Sequence, residues 1–525
     1  MITPRSFAPP TRSSMLVCAA SLALCSGLAH AQVRSVTRVA EVGQSLASSG
    51  LPNSNQNIST INNMISTNTN GEVGFIGVLE DGTNFVWNGS NAVFTTPMGL
   101  PRVLGSFEGS AMGIGPSGKF VISANIDGGD GIWTQSGRLI AAGDPAPGLP
   151  GKFIGNASRP LMSGDGTVSW IGALRNSATG ANTNERAMFV SLDGTLATTT
   201  ARYVTNQVFD GVALNVVPTQ GLFFDHQISE GGRSINRMRV ALDGNVASNN
   251  VEVVVVHFST GPAVLIESGT SLLVADQAGG GTFFVPSPGI TASAFPAISI
   301  NDSAVTLIGA VGASSTHALV KDSVVVAQTG STIAGVPLFA LATTDRLQAV
   351  GVTPFGAGVV MWRYFDLNTN TSKTSFFASQ VGDFSDAEVV LTEGDQIDWT
   401  GDGAADGVIV SLPNPLHRCL DVPNDGTMGV FARVSDVGGA NERDMVLRIS
   451  LGFETGPSCD SLDFNQDGLF PDDNDLVDFL SVLAGGPCSN DPNCNDIDFN
   501  NDELFPDDSD LIAFLRVLAG GECTE

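Results

Sequence analysis

From residue 32 to about 450 the chain alternates short apolar runs with clusters of Gly, Asn, Asp and Pro. Val251–Phe258, VEVVVVHF, is one such run. No convincing amphipathic helix interrupts them, so the pattern predicts many short strands. A hairpin unit recurs: a polar Gly or Asn turn, an alternating strand, then a second strand after a gap. It reads TNTNGEVGFIGVL around Asn68, Gly71 and Phe75, GPSGKFVISANI at Gly118, and MSGDGTVSWIGAL at Gly166 and Trp170. SINDSAVTLIGAV at Asn301 and VPNDGTMGVFARV at Gly426 and Phe431 continue it, and less clear units begin near Gly221 and Arg346. A strand-then-turn phrase also returns at Val39–Pro52, Leu139–Gly151 and Val325–Pro337. Units near 50 residues with several strands each predict an all-β, β-propeller-like domain of six to eight blades.

The period changes at the C-terminus. Cys459–Cys488 and Cys494–Cys523 repeat one another at an offset of 35 residues. Leu476, Phe479, Leu480 and Leu483 fall at i, i+3, i+4 and i+7, and Leu511, Phe514, Leu515 and Leu518 copy them. Each set predicts one apolar helical face, and two such short helices should pack face to face. Acidic residues crowd each helix start, and Gly485–Gly486 and Gly520–Gly521 stand where helices stop.

Each helix follows an acidic loop with oxygen donors at alternate positions, the pattern that a hard cation such as calcium requires. The first set is Asp463, Asn465, Asp467, the carbonyl of Leu469, Asp472 and Asp475. The second is Asp498, Asn500, Asp502, the carbonyl of Leu504, Asp507 and Asp510. Two calcium ions are therefore expected in the tail. Gly468 supplies the sharp turn of the first loop, whereas Glu503 stands at that position in the second. The second loop should accordingly bind more weakly. A third possible loop, DWTGDGAADG, places Asp398, Thr400, Asp402 and Asp406 at positions 1, 3, 5 and 9, where a solvated Gly/Asp turn is the reading preferred to a third calcium site.

The tail, residues 459–525, resembles a dockerin, the paired EF-hand-like calcium module that docks onto cohesin domains. It is most similar to the planctomycete-type variant whose helices run into Gly-Gly-x-Cys, the GC-type dockerin. The resemblance implies a cohesin-like or other cell-surface protein partner. Asn68 to Phe75 resembles the Asn-x-x-Gly-x-x-Ala-Phe tandem repeat of a family of exported bacterial proteins, with Gly74 in place of Ala. That second likeness implies a propeller-like domain and no activity.

Residues 1–31 read as a secretory signal: Arg5 and Arg12, an apolar run from Met15 to Leu28, and Ala29-His30-Ala31 before Gln32. The expected order is then signal peptide 1–31, β domain 32–450, linker 451–458 and calcium module 459–525, in a chain that is secreted or held at the cell surface. Losing Arg5 and Arg12 takes the net charge from −29 to −31. From Cys459 onward 17 acidic residues stand against Arg516, a net of −16. Nucleic acid is a poor partner for such a chain. Four cysteines bracket the tail repeats, and in an exported chain disulfides are the expected state. Pairing Cys459–Cys488 and Cys494–Cys523 would staple each repeat end to end, although three connectivities are open. Cys419 is left as a thiol.

No catalytic set is readable. The histidines after the signal, His226, His257, His317 and His417, are scattered, and His257 sits within an apolar strand as a structural residue. Tyr203 and Tyr364 are the only tyrosines, with no Arg cluster beside them. The sequence thus reads as an exported, non-catalytic surface or assembly protein. Its β domain presents a surface, with polysaccharide a possible contact, and its tail anchors it. Two rivals are a carbohydrate-active, glycosidase-type propeller targeted by the tail, and a tail that serves as a sorting or processing signal.

Overall fold

The chain is described from a computed structural model. It describes residues 35–46, 55–95, 112–126, 129–163, 166–183, 185–205, 208–209, 212–213, 223–229, 233–241, 250–258, 261–286, 294–301, 303–414, 420–423, 426–451 and 453. In the tail it describes 462, 464–465, 473–490, 494, 497–499 and 508–518. The expected signal peptide, Cys419 and most of the linker lie outside these residues.

The β domain is a seven-bladed propeller. Blade 1 is Ile58–Thr67, Val73–Leu79, Asn84–Asn88 and Ala92–Thr95; blade 2 is Met112–Ile114, Phe120–Ile126, Gly129–Thr134 and Gly137–Ala141. Blade 3 is Phe153–Met162, Val168–Arg175, Arg186–Ser191 and Thr199–Val204; blade 4 is Phe223–Ile228, Ser234–Ala241, Asn250–Phe258 and Gly261–Glu267. Blade 5 is Ala297–Ile300, Thr306–Val311, His317–Lys321 and Val324–Gln328, widened at its outer edge by Ser271–Val274 and Thr282–Phe284. Blade 6 is Leu347–Val352, Gly358–Asp366, Thr371–Ser379 and Glu388–Thr392.

Blade 7 joins the two ends of the β domain. Gly407–Ser411, Thr427–Asp436 and Arg443–Ser450 come from its C-terminal end, and Val36–Glu41 adds the outermost strand. That strand runs antiparallel to Arg443–Ser450, with Val36 opposite Ile449 and Glu41 opposite Met445. The ring is thus closed by backbone hydrogen bonds between residues about 400 apart in sequence, which leaves no open first or last blade.

Two turns repeat around the ring. The first links one blade to the next. At Leu139–Gly151, Ala141 N donates to Asp144 Oδ2 (2.8 Å) and Asp144 N donates back to Ala141 O (3.1 Å). Gly143, at φ 93°, donates to Ile154 O, and Ile154 N donates to Asp144 O. Only glycine takes that φ without strain. Gln44, Ser331 and Asp395 play the part of Asp144 in three other linkers, on the backbone N–H groups of Glu41, Gln328 and Thr392. The strand-then-turn phrase in the sequence is this device. Its copy at Thr392–Asp395 is hidden because the residues that follow do not repeat the phrase.

The second turn joins the first two strands of a blade, and its asparagine acts twice. Asn68 Oδ1 accepts from Asn70 N and Glu72 N within its own turn, while Asn68 Nδ2 donates to Gly115 O of blade 2 (3.0 Å). Asn301 repeats this between blades 5 and 6, taking Val305 N and giving to Thr353 O (3.0 Å). Ser66 and Ser299 add a hydroxyl acceptor for the same neighbouring strands, at Ile114 N and Val352 N. Between these latches the blades bury large apolar side chains. Trp170 is fully buried and stacks on Phe189 with ring centroids 4.2 Å apart. Among the described residues of the β domain the only helical pieces are three-residue 3-10 turns.

The tail carries the two expected helices, α1 (Asp473–Leu483) and α2 (Asp508–Leu518). Gly485, at φ 79°, ends α1 with its N–H on Val482 O, and Gly486 N donates to Ser481 O. The helices share a core of Leu462, Phe464, Phe479, Ile497, Phe499, Ala513 and Phe514.

Candidate functional site

In the tail the two repeats meet about an approximate two-fold relation. Phe479 stacks on Phe514, its equivalent at the offset of 35 (centroids 4.3 Å apart), and each is met edge-on by its own loop's phenylalanine, Phe464 or Phe499. Phe464 and Phe499 therefore meet their helices through matching contacts. Of the expected calcium ligands, Asp463, Asp467, Leu469, Asp472, Asn500, Asp502, Leu504 and Asp507 lie outside the described residues. Asn465, Asp475 and Asp510 are buried, and Asp498 is half-buried. Asp475 Oδ1 accepts from Asn465 N at 3.3 Å, which brings position 3 of the first loop against its closing carboxylate. Among the described residues no three His, Cys, Asp or Glu side chains converge on one point.

Asp478 was not among the expected site residues, yet it ties Asn465 to Ser489. Its carboxylate accepts from Ser489 N, Ser489 Oγ and Asn465 Nδ2. Burial opposes ionisation there, but these donors outweigh it and hold the carboxyl below the usual carboxylate range. The amide nitrogen of Asn465 is thereby assigned to Asp478, and its Oδ1 is the atom through which an amide ligates calcium. Ala513 stands at the equivalent place in the second repeat, so this clasp is made once.

Two expectations for the tail are corrected. Cys488 is bonded to Cys494, with Cα atoms 6.6 Å apart. This excludes the expected Cys459–Cys488 and Cys494–Cys523 bonds. Packing α1 against α2 brings the end of one repeat to the start of the next, so the short connection is the one that closes; Cys459 and Cys523 lie outside the described residues. Leu480 and Leu515 were expected in the packed stripe. They are instead 43% and 45% exposed, and Val477 and Ile512 are 61% and 54% exposed. The inner face is made by Phe479 and Phe514 with Leu476, Leu483, Leu511 and Leu518 packed around them.

The acidic loop of blade 7 is internally satisfied. Asp398 accepts from the N–H groups of Thr400, Gly401 and Gly403, and Asp406 accepts from those of Trp399 and Thr400. The Gly403 N–H is the largest influence holding Asp398 below the usual carboxylate range. Asp402 accepts from Ala404 N. All four positions thus read as a turn that folds on its own donors.

The same loop borders a cleft of about 1150 Å³ between blades 6 and 7. Its walls come from four segments: the start of the closing strand, the linker at 335–339, the hairpin tip of blade 6 and the loop 392–401. Tyr364 stands at the back, its hydroxyl on Ser375 Oγ (3.1 Å), which in turn meets Thr392 Oγ1 (2.8 Å). Burial raises the Tyr364 phenol above its ordinary value, and the carboxylates of Asp366, Asp395 and Glu393 add to the effect. Asp366 accepts from Asn368 N and Thr369 Oγ1 and pairs with Lys373 at 3.1 Å. Phe339 and Leu367 are exposed at the mouth, and Trp399 is half-buried under Arg38, whose guanidinium carbon lies 5.7 Å from the ring centroid. Segments this far apart in the chain give no spacing signal; an isolated Trp within a Gly/Asp turn was the one local hint.

The histidines serve the fold. His226 Nε2 meets Ser169 Oγ (3.0 Å) between blades 4 and 3. His257 packs edge-on to Tyr203, and burial, helped by the charge of Arg202, pushes its pKa down to about 4. His417 lies outside the described residues. No helix among the described residues is long and apolar enough to cross a membrane.

No family model matches the chain, and no curated protein matches it. Solved structures match it across most of the β domain at low identity. The β-propeller domain of the Trilobed protease from Pyrococcus furiosus is 8% identical, covering 74% of this chain and 93% of that one, with a TM-score of 0.35. The PQQ-bound aldose sugar dehydrogenase from Streptomyces coelicolor is 10% identical over 67% and 97%, with a TM-score of 0.27. A GH43 β-1,3-galactosidase is 10% identical over 53% and 86%, with a TM-score of 0.27.

Proposed function

We propose that the chain is an exported, non-catalytic assembly protein in which a propeller presents a surface and a calcium-dependent, dockerin-like tail attaches it to a protein partner. The observation that carries this reading is the repeated exposure of apolar side chains on both helices. Val477 and Leu480 on α1 recur as Ile512 and Leu515 on α2, all exposed, while the phenylalanines beside them are buried. A hairpin that served only itself has no use for that second apolar face; a paired surface of this kind marks a contact site. The buried Asp475 and Asp510 support the metal part of the reading. All-oxygen donors beside buried carboxylates fit calcium, and Asn465, Asp475, Asp498 and Asp510 are the described residues that would hold it. Calcium supplies the positive charge that lets such carboxylates sit in a packed core.

The test is retention of the full-length chain on envelopes of the cell that exports it. Binding in calcium should be lost on chelation and lost again in a Val477→Asp/Ile512→Asp variant that keeps its propeller melting transition. Retention unaffected by both treatments contradicts the proposal.

A further inference from the structure

We infer that the cleft between blades 6 and 7 binds a neutral oligosaccharide, gripping it without cleaving it. The cleft, at about 1150 Å³, is slightly larger than the usual range of about 300–1000 Å³ for a small-molecule pocket. Being large and half open, it suits a chain of several rings rather than one compact ligand.

Its lining mixes two kinds of surface. Phe339, Leu367 and the partly open Trp399 supply apolar faces at the mouth. Such faces suit the C–H sides of sugar rings, and aromatic side chains give much contact area for little lost freedom. Asn368 and Gln396 stand beside them with amide groups that both donate and accept, the property that matches a hydroxyl.

The charges decide between a neutral and a charged ligand. Asp366 is paired with Lys373, and Asp398 is committed to the N–H groups of its own loop. Asp395 accepts the Thr392 N–H at 2.7 Å within the linker turn. The carboxylates of the cleft are thus occupied in holding its walls, and the one lysine is matched. An anionic ligand would find the one lysine already paired, and a cationic one would find the oxygens of Asp395 and Asp398 taken up by N–H donors although still charged, so a neutral polar ligand fits best and a cationic probe is the rival to test. The same commitments argue for binding alone. Glycoside hydrolysis needs a carboxyl that stays protonated to act as acid. Asp366 and Asp398 are both held below the usual carboxylate range, Asp366 because its hydrogen bonds and Lys373 outweigh its burial, Asp398 mainly by the Gly403 N–H.

The experiment is calorimetric titration of the full-length protein, in calcium, with cellohexaose, xylohexaose, laminarihexaose and mannohexaose, and with hexalysine as the charged probe. At least one hexasaccharide should bind and be recovered intact. Trp399→Ala should weaken it about tenfold or more, a loss of about 1.4 kcal/mol. Trp399 also packs on the blade 7 core, so exposed Phe339→Ser and Leu367→Ser provide the same test without disturbing the fold. Chelating calcium should leave the binding unchanged, which separates this site from the tail. The inference is overturned if no hexasaccharide binds, if hexalysine binds in their place, if the sugar is cleaved, or if none of the three variants weakens it.

Discussion

Phe479 and Phe514, 35 residues apart at equivalent places in the two tail repeats, stack on each other with 12° between their ring planes. This contact joins the two helices at the centre of the tail core. A Phe→Ala change in such a core costs about 3–5 kcal/mol, a large share of what so small a module can have. Phe479→Ala should therefore unfold the tail while the propeller keeps its own melting transition. Limited proteolysis followed by mass spectrometry should show cleavage confined to residues after 451; a protected tail would contradict the packing.

Asn68 caps its own turn and reaches the next blade. Removing the side chain leaves Gly115 O and the Glu72 N–H without these partners, at about 1–3 kcal/mol for buried groups. Asn68→Ala should lower the propeller's melting temperature, and Asn301→Ala should do the same. Asn70→Ala, which removes neither bond, is the control and should melt like the wild type.

Much of this was legible in the sequence. The hairpin units at Asn68, Gly118, Gly166, Asn301 and Gly426 each became the first turn of a blade, because polar turns and alternating strands are local features. The sideways reach of Asn68 was hidden, since one sequence cannot show which carbonyl lies across a blade boundary. The closing strand Val36–Glu41 was hidden for the same reason: its partner is about 400 residues away. In the tail, the helical period named the two helices. The outward turn of Leu480 was not readable, because a stripe spanning i to i+7 is wider than the face that two short helices can bury in each other. The blade 6–7 cleft had no spacing signature, because four distant segments build it, and Trp399 was the one local hint.

The Cys488–Cys494 bond makes a direct chemical prediction. Digestion without reductant should release a peptide pair, or a cyclic peptide, joined between those residues. A fragment linking Cys459 to Cys488 would contradict the structure, since a cysteine makes one such bond.

His257 gives the propeller a pH dependence. Its folded pKa, about 4, lies below the ordinary 6.5, first through burial and then through Arg202. Above pH 6.5 both folded and unfolded chains hold it neutral. As pH falls through 6.5 toward 4 the unfolded chain takes up a proton that the folded chain refuses, so stability declines across that window. His257→Gln should flatten the decline between pH 6.5 and 4.5 in calorimetric melts. An equal decline in the variant would assign it to other groups.

Calcium titration of the full-length chain by calorimetry tests most directly the proposal that calcium holds the tail in a docking form. Two binding events are expected, in the range of about 10⁻⁴–10⁻³ M typical of extracellular modules. The first loop, with Gly468, should be the tighter, and Glu503→Gly should strengthen the second. Asp475→Ala should remove one event and Asp510→Ala the other, while Asp398→Ala leaves both. The tail's melting transition should rise with calcium because binding is linked to folding. No calcium heat, together with identical melting in calcium and in chelator, would contradict the account.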